Sequence, residues 1–155
     1  METPLIPLLF CGGIAGMAGA FAMNAFMRAV SANFSRRVDM VRALGSLVTG
    51  KLEGAQRVGT TIHTLSGLFF GGVYFILFAL IGFEAAPRSA LLGLGFGFLH
   101  GLVVSYGLMF VVSEKHPVEA YRQATLSVGL LHLIGHMLYG LVTGIIGGLL
   151  LLGVG

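Results

Sequence analysis

The chain has 155 residues, of which 56% are hydrophobic and only 10% charged, with a mean hydropathy of +0.95. Soluble domains carry about 25% charged residues, so this balance excludes an ordinary soluble domain and points to a membrane protein. The net charge of +3 is too small for a nucleic-acid footprint, and a single cysteine, Cys11, excludes an internal disulfide.

The opening "METPLIPLLF" has no basic segment before its apolar run, and the run is longer than the core of a signal peptide. It is expected to begin a first spanning helix over about 5–30. A bilayer span needs about 20 mostly apolar residues. Three later segments meet that requirement, at about 60–83, 88–112 and 125–152. Between the first two lies "VDMVRALGSLVTG", which is too short and too polar to cross. Its Val41, Leu44 and Val48 recur at helical spacing beside Arg37, Asp39 and Arg42. This pattern predicts a short amphipathic helix over about 38–49, lying at the membrane interface. "GFEAAPR" is a turn. "SEKHPVEAYRQA" is a polar connection in which Pro117 is expected to open a helix that runs on into the last span. His116, in that connection, is expected to be solvated, because connecting segments normally run over the surface.

The expected fold is therefore all-α: one integral-membrane four-helix bundle, residues 1–155, with one short interfacial helix. Basic residues set an orientation. Arg36, Arg37, Arg42, Lys51, Arg57, Lys115 and Arg122 fall on one side and Arg88 alone on the other. The bias toward cytoplasmic Lys and Arg then predicts that both termini lie outside the cytoplasm.

Twenty-five glycines are too many for soluble helices, where each costs about 1 kcal/mol relative to alanine. In a bilayer, small residues instead let helix backbones approach. Positions four apart share a face. The last span carries His132, His136, Gly140, Gly144 and Gly148 on one stripe. The second carries His63, Gly67 and Gly71, with Tyr74 on the same side. The third carries Gly93 and Gly97, then His100 and Gly101. The first carries Gly12, Gly16, Ala20, Asn24 and Arg28. Small residues mark the packed face, and ionisable residues inside a membrane avoid lipid. Both preferences select one face on each helix. An inward cluster of imidazoles is the simplest arrangement, with His100 and His136 at similar depth and His63 and His132 nearer the basic side.

"DMVRALGSLVTG", "VGTTIHTLSGLFFGGVYFILFAL", "GFGFLHGLVVSYGL" and "LIGHMLYGLVTGIIGG" resemble a group of uncharacterised bacterial four-helix membrane proteins. The pattern of that group is a surface segment opening on Asp, then one histidine in each of the last three spans, matched here by Asp39, His63, His100 and His136. The resemblance implies a bacterial inner-membrane location and supplies no activity. His132 is an addition to the pattern.

Imidazole is a common ligand of transition metals. His63, His100 and His136, with His132 nearby, are candidate ligands for one Cu, Zn or Fe ion. Two of them on opposed helices are alternatively candidate axial ligands of haem b, with a redox or electron-transfer role. Asp39 or Asn24 would add an oxygen ligand or orient a ring. Met23, Met27, Met109 and Met137 are scattered, which argues against a blue-copper centre. The contrasting reading makes each histidine an interhelical hydrogen-bond partner, like Ser66, Ser105 or Thr143, in a non-catalytic accessory subunit of a larger membrane assembly or a self-associating bundle.

Transport along Tyr74, Tyr106, Tyr139 and the imidazoles fits less well. No proline interrupts a span and no carboxylate lies deep in one. Hydrolytic catalysis also lacks a carboxylate at membrane depth to orient a histidine, so the chain is not expected to be an enzyme on its own. "GLGFG" lies within a span and lacks the Lys-Ser/Thr of a phosphate loop. Arg28, Arg36 and Arg37 are expected to be snorkelling anchors that can also meet lipid head groups or haem propionates. The expected partners are the bilayer and other membrane subunits.

Overall fold

The computed structural model describes residues 4–33, 39–82, 85–122 and 125–153. Its elements are α1 (Leu5–Asn33), α2 (Met40–Thr49), α3 (Ala55–Leu80), α4 (Arg88–Lys115), a 3₁₀ turn (Glu119–Tyr121) and α5 (Leu126–Leu152). No strand occurs among the described residues. Four of these helices, α1, α3, α4 and α5, are long and apolar enough to cross a membrane. The protein is an all-α, multi-pass membrane bundle. Arg36 and Arg37 lie outside the described residues.

The bundle is ordered α3–α1–α5–α4 around its axis. Packing is extensive between α4 and α5, α1 and α3, and α1 and α5, whereas α3 meets α4 and α5 at only a few points. Glycine determines which seams close. On the α1–α3 seam a Cβ on Gly16 would collide with the Gly67 carbonyl, and one on Gly12 would lie 2.6 Å from the Gly71 carbonyl. On the α4–α5 seam Gly93 and Gly140 meet backbone to backbone, and Gly97 meets the His136 carbonyl. On the α1–α5 seam Gly19 abuts Tyr139 and Thr143. Such approach suits helices in a bilayer, where close packing substitutes for the hydrophobic effect between helices. The outward faces present large apolar side chains, among them Phe21, Leu65, Phe69, Leu99, Val103 and Phe110.

The two ends differ. Toward the end holding Leu80 and Arg88 the core is filled by Phe75 and Phe78, and Gly147 makes room for the Phe75 ring. Toward the other end α2 folds back across the bundle. Asp39 starts it by accepting a hydrogen bond from the Arg42 backbone N–H at 3.0 Å, the usual service of an N-cap aspartate. Gly50, with φ of 69°, ends it in the left-handed conformation that glycine adopts without strain.

Two helix limits are corrected. The second span begins at Ala55, five residues before the predicted start, because Gly59 crosses closely against Gly45 and holds that first turn against α2. Pro117 opens only the 3₁₀ turn, and α5 starts separately at Leu126 after an extended Thr125. The face of α2 packed on the protein is Met40, Ala43, Gly45 and Ser46, while of its apolar stripe Val41 and Leu44 border the interior and Val48 is exposed.

His116 is the largest departure from expectation, being fully buried. The Val118 N–H donates to its Nδ1 at 3.0 Å, and its Nε2–H donates to the Ala43 carbonyl at 3.0 Å. Tyr121 packs edge-on against the ring, with centroids 4.9 Å apart. Arg122 Nε donates to the His116 carbonyl at 2.7 Å. A neutral imidazole satisfies one acceptor and one donor bond at once. His116 therefore pins the α4–α5 connection to α2.

Candidate functional site

The glycine stripes bring the helices together and so place the polar residues just beyond them around a common space. That space is a chamber of about 420 Å³. It lies in the half of the bundle on the α2 side. Helix α1 contributes Asn24, α3 contributes His63 and Phe70, α4 contributes His100, and α5 contributes His132 and His136. Helix α2 and its cap close that end with Asp39, Val41 and Leu44, and Arg28 and Gln56 also border the chamber. At a rise of about 1.5 Å per residue, the four histidines lie about 9–22 Å along their helices from the ends nearest α2.

All four candidate histidines thus line one chamber. His100 and His136 face one another with ring centroids 5.1 Å apart. Their meeting requires Gly97 and Gly101. A Cβ on Gly101 would stand 2.8 Å from the His136 Cβ. His132 and His136 lie one turn apart on α5, with centroids 6.4 Å apart.

The hydrogen bonds sort the four rings. The carbonyl of His132 accepts from His136 Nδ1–H at 2.9 Å, which leaves the lone pair of His136 on Nε2. His100 Nδ1 is 3.0 Å from the Tyr74 hydroxyl, across the α3–α4 seam. His63 Nδ1 and Asn24 Oδ1 are buried without a partner, while the His132 ring turns back to the Val128 carbonyl one turn earlier, as His136 does to His132. His132, which the family-like pattern omits, is only 5% exposed. Buried polar atoms are usually hydrogen-bonded, and an isolated exception calls for an explanation such as a ligand. Here two such atoms, on α3 and α1, belong to residues that line one space. Among the described residues, no group of three His, Cys, Asp or Glu side chains is already placed to hold an ion.

The chain matches no family model, no curated protein and no solved structure. The chemistry of the chamber therefore rests on its own residues.

The other polar candidates separate clearly. Tyr139 OH donates to the Gly67 carbonyl at 2.9 Å, bridging α5 and α3. Tyr106 lies beside Gly129 on the α4–α5 seam. Thr143 donates to the Tyr139 carbonyl, and Ser89 to the Gly144 carbonyl. Tyr139 and Ser89 thus fasten helices together, whereas the Thr143 bond lies within α5. Asp39 is engaged in capping α2, although it also borders the chamber. Sequence reasoning misses Phe70 and Gln56 as wall residues. Each is an ordinary helix residue, and nothing in local spacing distinguishes it.

Proposed function

We propose that this protein binds a transition-metal ion, Cu, Zn or Fe, inside the membrane through His63, His132 and His136, with His100 as a further ligand. The observation that carries the reading is the convergence of four imidazoles from three helices on one chamber, one of them, His63, with a buried, unpartnered Nδ1. His136 supports it further. Metal-bound histidines commonly give their other ring N–H to a carbonyl or carboxylate, which fixes the ligating nitrogen. The His132 carbonyl plays that part for His136. Binding requires the ring of His63 to turn inward, and its unpartnered Nδ1 leaves that turn without a hydrogen bond to break there.

An ion is favoured over haem b. Two axial imidazoles on one iron stand with ring centroids about 6 Å apart and a macrocycle between them. The edge contact of His100 and His136 at 5.1 Å leaves no gap for that plane. In this reading the protein sits in a bacterial inner membrane with its α2 side toward the cytoplasm, as the basic residues direct.

A second reading is favoured by one bond. The Tyr74–His100 pair joins α3 to α4, as expected if histidines serve as interhelical glue in an accessory subunit. Elemental analysis of protein purified gently from its native membrane separates the two. The metal reading expects about one equivalent of a transition metal, lost in a His132→Ala/His136→Ala double variant that keeps its melting temperature. Metal at background level in wild-type protein reloaded with Cu, Zn and Fe in turn would favour the glue reading.

A further inference from the structure

A single ion fills little of a 420 Å³ chamber. Small-molecule sites commonly enclose about 300–1,000 Å³, with mostly apolar walls and a few polar groups that orient the ligand. This chamber has that character. Ile62, Phe70, Val104 and Leu108 form apolar walls around the imidazoles and Asn24.

The seams of the bundle show where such a ligand would enter. Three of the four seams around the ring are closed by glycine contacts at backbone distance. The α3–α4 seam has little backbone contact and is bridged by rings instead. Phe70 meets His100 at 4.3 Å between centroids, Tyr74 meets Phe96 at 5.6 Å, and Phe78 meets Phe96 at 5.5 Å. These contacts run from the chamber toward the filled end. On the α2 side of Phe70 and His100, α3 and α4 both line the chamber, through Ile62 and Ser66 on one side and Val104 and Leu108 on the other. Leu65 and Val103, on the same stretches, are exposed on the apolar outside. An apolar tail has a route between α3 and α4 into lipid.

The chamber also defines the head group. Its deep polar groups are neutral: imidazoles, the Asn24 amide and the Tyr139 hydroxyl. Among the described residues, the charged ones that border it are Arg28, which is exposed, and Asp39, which caps α2. A charged head group buried among the imidazoles would lack a counter-charge there, at a cost of several kcal/mol. The unpartnered atoms on its lining residues are His63 Nδ1 and Asn24 Oδ1. A neutral imidazole nitrogen donates or accepts according to its tautomer. It can therefore meet a ring carbonyl as donor and a ring hydroxyl as acceptor, while Asn24 Oδ1 accepts from a hydroxyl. A flat ring also suits the face of Phe70. We infer that the chamber binds a lipid-soluble quinone and its quinol, with the ring among His63, His132 and Asn24 and the tail leaving between α3 and α4. This assignment stands whether or not the imidazoles also hold a metal ion.

The test uses chelator-treated full-length protein in lipid nanodiscs, titrated with a benzoquinone carrying a saturated alkyl tail and followed by native mass spectrometry. A photoreactive version of the same quinone maps the site. The expected result is saturable binding of one quinone per chain, with labelled peptides from α3 and α4. His63→Leu weakens quinone binding by about tenfold, and Asn24→Leu weakens binding of the dithionite-reduced quinol by the same factor, the scale of one lost hydrogen bond to a buried group. Ser66→Phe, which fills the chamber and leaves the imidazoles in place, abolishes binding. If either leucine variant fails to fold, His63→Gln and Ser66→Phe carry the test. Binding no greater than partition into empty nanodiscs overturns the inference, as does saturable binding that Ser66→Phe leaves unchanged. Because metal is removed beforehand, a negative metal analysis does not alter either result.

Discussion

The two halves of the bundle continue the same four stripes and come out differently. Toward Leu80 and Arg88, glycine stripes meet glycine stripes and the remaining space is filled by Phe75 and Phe78, both fully buried. Toward α2, the same stripes continue as Asn24, His63, His100, His132 and His136, and the space between the helices stays open. Glycine lets backbones touch. Its replacement on the stripe by a ring or an amide holds the helices apart and leaves polar edges facing one another. The contrast shows how a bundle with no proline in mid-span can contain a polar chamber without breaking a helix.

The sharpest way to break this comparison is to disturb the closed half. Gly140 lies against the backbone of Gly93 and Gly97, where nothing can move aside cheaply. Gly140→Leu is expected to cost at least about 3 kcal/mol, the upper range for overpacking a tight core. The chamber should be lost with it. Thermal unfolding in detergent reads the loss, and a melting temperature equal to wild type would refute the backbone seam.

A smaller effect is expected at the floor of the open half. His116→Ala removes the ring that joins the α4–α5 connection to Ala43. Loss of these buried bonds is expected to cost about 1–3 kcal/mol. It should also loosen α2 specifically. A cysteine placed at the fully buried Ser46 should react with a thiol reagent faster in the His116→Ala background than with His116 intact. Equal rates would mean that α2 is held by its contact with α3 alone.

The smallest effect serves as the control. Gly95 lies on the same helix as Gly93 and Gly97, yet a Cβ there meets nothing within 4 Å. Gly95→Ala is expected to leave stability unchanged or raise it by up to about 1 kcal/mol, the difference in helix propensity. A destabilised Gly95→Ala would show that α4 has a partner on its outer face.

Much of the fold is legible in the amino-acid sequence. The four long helices follow from apolar run length, and the inward faces from the coincidence of small and ionisable residues four apart. Those rules are local, so they hold wherever the segment sits. The helix ends are harder to read. The early start of α3 depends on Gly45 meeting Gly59, and the helix that Pro117 predicts breaks off after one 3₁₀ turn. His116 follows Glu114 and Lys115 in a polar segment, which makes a solvated ring the natural expectation. Its acceptor is a carbonyl 73 residues away, and no periodicity reaches that far.

The sequence by itself determined that this is a membrane bundle and that histidines lie on its packed faces, because helical period and the cost of polar groups in lipid act residue by residue. Only the tertiary structure decided that all four histidines line one chamber and that His132 belongs among them. It also decided that the α3–α4 seam is bridged by rings and that α2 closes one end. Those outcomes depend on which glycine meets which, a relation between helices that no single helix contains.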